Sequence, residues 1–207
     1  MSAQLAFATV ETPIGPMLLA ATNAGIAALS GDTSLGTFLA ALRRRFPDAD
    51  RVPDEGALRE AIDWLRGYLA GTHRKAFAVD LGGIGRWDAA VYGAIRAIPY
   101  GETATYGEVA AMVGSPRAAR AVGGALSRCP LFPAVPCHRV VLAADGISGW
   151  GGGDIRVKRR LLALERRRVP GLTDSCHSRV TRRDRAGRCQ MRRSDLQGNR
   201  HGADETG

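Results

Sequence analysis

The sequence predicts an α+β chain in two parts: a small α/β N-terminal domain, then a mainly helical domain containing a helix-turn-helix. Three observations carry this. Residues 5–30 alternate short apolar runs with turn-forming clusters, the mark of strands. From Leu35 onward apolar residues recur every three or four positions, the helical period. Thr105-Tyr106-Gly107-Glu108 is a capping-box pattern, and Gly114-Ser115-Pro116 follows one short helix later.

In order, Leu5–Val10, Met17–Ala20 and Gly25–Leu29 read as strands, separated by Pro13-Ile14-Gly15-Pro16 and Thr22-Asn23-Ala24-Gly25. Leu35, Phe38, Leu39 and Leu42 share one face of a first helix, and Leu58, Ile62, Leu65 and Tyr68 one face of a second, ended by Gly71. Residues 76–81 add a further strand. Leu81-Gly82-Gly83-Ile84-Gly85 reads as a linker, which divides the chain into 1–80, a connection at 81–86, 87–167, and a tail at 168–207. Trp87, Val91, Ala94, Ile95 and Ile98 fit a third helix, stopped by Pro99. The capping box opens a fourth through Val113, ended by Gly114. Ser115 and Pro116 then read as N-cap and first turn of a fifth, running to Ser127. Two short helices around a tight glycine-containing turn make the helix-turn-helix. Val140-Val141-Leu142 reads as a short buried strand, and Ile155–Arg167 as the last helix.

Charge is unevenly spread. Eleven arginines and five acids lie between Arg166 and Gly207, so residues 166–207 carry +6 of the net +9. Beyond Pro170 there is no aromatic residue and no apolar period, the composition of a disordered segment. Basic charge favours nucleic acid through phosphate contacts. No apolar run approaches the ~20 residues of a membrane span, and the N-terminus lacks a basic n-region with an apolar stretch. A cytoplasmic protein without a membrane partner is expected. Four cysteines, unevenly placed, read as thiols rather than a disulfide framework. Cys176, His177, Cys189 and His201 are poorly spaced for zinc, so no metal is expected.

The chemistry concentrates in Pro136-Cys137-His138-Arg139-Val140. A thiolate is the reactive form of cysteine, and an ordinary thiol near pKa ~8.5 is mostly protonated at neutral pH. A histidine beside it is one means of activation. Taken alone, the pair also fits a buried structural cysteine. The fifth helix is unusual in composition: Ala118, Ala119, Ala121, Gly123, Gly124 and Ala125 leave most of its surface thin, and Arg120 projects from it. Such a helix either packs closely in a core or enters a groove of duplex DNA. Gly149-Trp150-Gly151-Gly152-Gly153 lacks the lysine and hydroxyl of a phosphate-binding loop and suits wrapping a flat ligand instead.

Together these blocks resemble the O6-alkylguanine-DNA alkyltransferase family, the methylated-DNA–protein-cysteine methyltransferases. The resemblance runs through Ile98-Pro99-Tyr100-Gly101-Glu102-Thr103, Thr105 to Ala110, Pro116 to Gly124, Pro136 to Val140, the glycine-rich loop, and Lys158 to Glu165. Thr12 to Pro16 and Tyr68-Leu69-Ala70-Gly71 extend it into the N-terminal part, so it covers residues 5–167. It implies a ribonuclease H-like N-terminal domain and a winged-helix-like C-terminal one. It implies a monomer that acts on double-stranded DNA containing O6-alkylguanine or O4-alkylthymine. The damaged base is flipped out and its alkyl group passes irreversibly to Cys137, with no cofactor. His138 would serve as base through a water, oriented by Glu165. Tyr106 would donate a proton to the leaving guanine, Arg120 would fill the stack, and Lys158 would help polarise the site. Ala118, Ala119, Ala121 and Gly123 would lie against DNA. Val140, Trp150, Gly151, Phe132 and Cys129 would line the base pocket.

Some residues depart from the family pattern. Cys129 stands where asparagine is usual, Phe132 where proline is frequent, Trp150 where tyrosine is usual, and Arg86-Trp87-Asp88 replaces a Phe-Gln start. A thiol cannot reproduce an amide's donors and acceptors, so slower alkyl transfer is expected. Three other functions compete. A damage sensor similar to the alkyltransferase-like group would lack the reactive cysteine. A cysteine hydrolase would need an oxyanion hole and usually a separated histidine. A major-groove regulator would carry polar side chains on its recognition helix.

Overall fold

The first three apolar runs form strands: β1 (Gln4–Val10), β2 (Met17–Thr22) and β3 (Gly25–Ser30). The computed structural model describes residues 4–31, 33–72, 75–143 and 154–167. β1–β2 and β2–β3 are antiparallel, and a short strand β4 (Asp50–Pro53) adds parallel to β1, giving the order β3-β2-β1-β4. Both faces of this sheet are covered, which is why its strands read as apolar runs. Ala6, Ala8, Val10, Met17 and Leu19 face one core, while Leu5, Leu18 and Ala20 face a second with Phe38 and Leu42.

That second core is closed by α1 (Leu35–Arg45), capped by Ser34, whose hydroxyl accepts from the Thr37 amide. The expected apolar face holds for Phe38 and Leu42, but Leu35 is exposed. The other sheet face is covered by α2 (Arg59–Leu69), which buries Ile62, Leu65 and Tyr68. Its end is a Schellman motif: Thr72 N–H donates to Gly67 O and Gly71 N–H to Tyr68 O. The strand expected at 76–81 is a single parallel bridge between Ile26 and Val79. Gly25 permits that approach: a Cβ there would lie 2.5 Å from the Ala78 carbonyl.

The C-terminal part comprises α3 (Arg86–Arg96), β5 (Ala104–Thr105), α4 (Tyr106–Met112), α5 (Ala119–Ser127), a 3-10 turn at Cys137–Arg139, β6 (Val140–Val141) and α6 (Ile155–Arg167). The capping box is present in full. Thr105 Oγ1 accepts from Glu108 N–H at 3.1 Å and Glu108 Oε2 accepts from Thr105 N–H at 2.7 Å. Ser115 does not cap α5 as expected. Its N–H donates to Ala110 O, and the N–H of Gly114, at φ 75°, donates to Ala111 O, so both residues close α4 as a Schellman motif. Residues 115–118 form a turn, and α5 starts at Ala119. β5 and β6 pair in parallel, and Leu142 is exposed rather than buried.

One apolar core runs continuously across the 81–86 connection, joining α2 and the sheet to Val91, Ile95, Val109, Val122, Leu131, Val135 and Leu161. Leu29 N–H donates to Pro130 O at 2.7 Å, tying the end of β3 to the segment that carries Cys129 and Phe132. Tyr92 Oη on α3 donates to Ala125 O on α5 at 3.0 Å. The glycine-rich loop, Trp150 and Gly151, and the tail at 168–207 lie outside the described residues.

Candidate active site around Cys137

Pro136 delivers the chain into the 3-10 turn Cys137–Arg139, where Cys137 N–H donates to Val135 O and Arg139 N–H to Pro136 O. Cys137 is 1% exposed, His138 0%, Lys158 0% and Glu165 1%. Lys158 and Glu165 lie seven residues apart on α6, two turns on one face, with Leu161 and Leu162 buried between them. Two charges on a buried helix stripe require partners. Lys158 Nζ donates to Val140 O at 2.7 Å.

Glu165 is the hub. Its Oε1 accepts from Tyr68 Oη at 2.7 Å and lies 2.8 Å from His138 Nε2. Arg139 reaches it three times, Nε to Oε2 at 3.0 Å and to Oε1 at 3.3 Å and Nη2 to Oε1 at 3.0 Å, and the Gly101 N–H donates to Oε2 at 3.0 Å. Burial alone would raise the Glu165 carboxyl, but hydrogen bonds from His138 and Arg139 overcome it and bring it down to about 2. The carboxylate is ionised and can only accept, so His138 Nε2 carries the hydrogen. Burial holds His138 below the usual histidine range against the opposing pull of Glu165. The imidazole is therefore neutral at pH 7, with its lone pair on Nδ1, a buried atom without a hydrogen-bond partner among the described residues. That is the form of a base.

The thiol is not pre-ionised. A hydrogen bond with the Cys129 side chain, then burial, hold Cys137 well above the ordinary cysteine range, while Lys158 opposes them. For such a thiol to act as a nucleophile its proton must leave, which calls for a general base at hand. Phe132 meets the His138 ring edge-on at 5.9 Å and limits its rotation.

The helix pair presents its thin surface outward. Arg120 and Ala121 are exposed and Ala118, Ala119 and Gly123 half-buried, whereas Val122, Ala125 and Leu126 fill the core. Tight core packing thus accounts for one side of α5 and not for the side bearing Arg120. Half-buried Tyr106, the first residue of α4, packs beside Gly123, where a Cβ would sit 3.8 Å from the tyrosine ring.

The 6-O-methylguanine DNA methyltransferase DNA-binding domain model matches residues 86–167. A methylated-DNA–protein-cysteine methyltransferase of Mycobacterium tuberculosis is 41% identical over 167 residues, spanning 79% of this chain and 94% of that protein. The chain belongs to this family. A Methanosarcina acetivorans methyltransferase of the same name is 40% identical over 161 residues, 77% of this chain and 97% of its own. The crystal structure of the M. tuberculosis O6-methylguanine methyltransferase superposes with a TM-score of 0.66 at 37% identity, covering 81% of this chain and 96% of that one. The M. tuberculosis OGT solved in complex with DNA gives 0.65 at 37%, covering the same shares. The mixed α/β architecture is that of these methyltransferase structures.

Two residues of the hub escape a reading of the sequence. Arg139 lies inside the cysteine motif, but an arginine after a histidine gives no hint of burial. Tyr68 reads as one more apolar position on α2. Its hydroxyl meets a charge 97 residues away.

Proposed function

We propose that this chain repairs O6-alkylguanine in duplex DNA by direct reversal, transferring the alkyl group once and irreversibly to Cys137. The observation that carries this is the buried pair of His138, which immediately follows the cysteine, with Glu165, in a chain of the methyltransferase family. The Cys137 sulfur attacks the alkyl carbon, a C–S bond forms and the C–O6 bond breaks. The thiol proton passes through a water to His138 Nδ1, and the imidazolium is held by the Glu165 carboxylate. The departing guanine takes a proton from Tyr106. Lys158 lowers the cost of negative charge on sulfur. The product is a thioether, which no group in the site can cleave.

Reaching O6 inside a duplex requires extruding the base, at a cost of about a few kcal/mol. The thin, outward-facing surface of α5 suits close approach to DNA, with Arg120 entering the stack. The same reading takes 1–80 as a ribonuclease H-like domain and 87–167 as a winged-helix-like DNA-binding domain joined through 81–86. It extends to O4-alkylthymine and to a cytoplasmic monomer. Incubation with a duplex carrying O6-methylguanine, followed by peptide mass mapping, tests it. A gain of one methyl on the peptide containing Cys137 is expected. Damage-specific binding with no mass gain would replace the repair reading with a sensor.

A further inference from the structure

We propose that Tyr68, contributed by the N-terminal half, is a positioning residue for alkyl transfer: its hydroxyl holds the same Glu165 oxygen on which the His138 imidazole hangs. This rests on the transfer reaction proposed for Cys137. The geometry is specific. Tyr68 Oη donates to Glu165 Oε1 at 2.7 Å, shorter than any of the three Arg139 bonds, and lies 3.3 Å from His138 Nε2. The ring is buried, stacked on Trp64 at 5.2 Å and edge-on to Tyr100 at 6.3 Å. Packing against Trp64 already fills the α2 position, so the core needs only the ring, which phenylalanine would supply. The hydroxyl serves the carboxylate.

Its effect follows from sharing. Glu165 Oε1 has a limited capacity to accept, and Tyr68, His138 and Arg139 all draw on it. Each further donor spreads the carboxylate charge and weakens its hold on an imidazolium. The charged or titratable groups around His138 are Glu165 and Lys158 from α6, Arg139 and Cys137 from the 3-10 turn, and Tyr68 from α2. Burial and the nearby carboxylate keep the Tyr68 hydroxyl protonated well past the ordinary tyrosine range, so it is a donor throughout the working pH. With Tyr68 in place, His138 stays neutral and the base is ready. Without it, Glu165 pairs more strongly with protonated His138.

Tyr68→Phe tests this through the pH profile of single-turnover methyl transfer. Transfer needs neutral His138, so the rate falls as pH drops through the His138 pKa. Raising that pKa moves the fall to higher pH. The expected shift is about 0.5–1 pH unit, the worth of one hydrogen bond. A rate loss of roughly tenfold at neutral pH, with duplex binding unchanged, should accompany it, since misplacing the base costs transfer and not affinity. An unmoved profile and an unchanged rate would overturn the inference, whereas a wild type that transfers no methyl would overturn the transfer reaction itself. Should the variant not fold, the wild type still decides. With tyrosines labelled at 13Cζ, the Tyr68 signal should stay unshifted across the ordinary tyrosine range, and titration near the ordinary value of ~10 would contradict a hydroxyl committed to Glu165.

Discussion

Cys129 touches the Cys137 thiol from the place where the family pattern has asparagine, and its own thiol is the leading cause of the raised Cys137 pKa. An asparagine amide would instead donate to sulfur and favour the thiolate. Cys129→Asn should therefore lower the Cys137 pKa and speed methyl transfer. The pH dependence of Cys137 alkylation by iodoacetamide reports the first effect and single-turnover kinetics the second; equal values for both proteins would refute it. His138→Gln removes the proposed base while keeping the packing against Phe132. It should slow transfer by about 10²–10⁴-fold with duplex affinity retained, as measured by rapid quench and fluorescence anisotropy. At this scale Cys137 and His138 are legible in the sequence because they are adjacent. Glu165 is legible only through the family resemblance. Among Arg159, Arg160 and Arg166 it looks like a surface charge, and only folding of α6 onto the 3-10 turn reveals it as the hub.

Among the elements, α4 and α5 tie local sequence to function most directly. Thr105 and Glu108 hold the start of α4, and Tyr106 is its first residue. Thr105→Ala should cost about 1 kcal/mol of stability, read from urea midpoints, and should loosen Tyr106 where it packs beside Gly123. On α5, Arg120→Ala should slow transfer from duplex DNA by at least about tenfold, equivalent to ~1.4 kcal/mol. Transfer from the free O6-alkylguanine base, which has no stack to fill, should be unaffected. Equal losses on both substrates would mean that Arg120 acts on chemistry rather than on the duplex. The capping box was readable because both its hydrogen bonds are local. β4 was not, since Asp50-Arg51-Val52-Pro53 offers one apolar side chain other than proline and no alternation. It exists because its backbone completes the edge of β1. Ser115 misled because the same residue type serves a helix start, whereas here the glycine before it commits it to the preceding helix end.

For the whole molecule, Tyr68 and Gly101, from elements far apart in sequence, converge on one carboxylate of the last helix. Losing that carboxylate strands the Arg139 guanidinium. Glu165→Gln should thus destabilise the fold by about 3–5 kcal/mol, measured by urea denaturation at pH 7. The same group sets an acid limit. Its carboxyl is about 2 in the folded chain against an ordinary 4.5, so its contribution is complete above about 4.5 and is lost as pH falls towards 2. Acid unfolding should steepen in that window for the wild type and flatten in the glutamine variant. None of this long-range convergence could be read from periodicity, which reports faces and not the partners they meet.

The claim that Cys137 is a single-use acceptor is tested most directly by titration. A fixed amount of protein is incubated to completion with increasing O6-methylguanine duplex, and demethylated guanine is counted. A plateau at one guanine restored per chain is expected, abolished by Cys137→Ser. Continued turnover beyond one, or an unchanged yield in the serine variant, would contradict it.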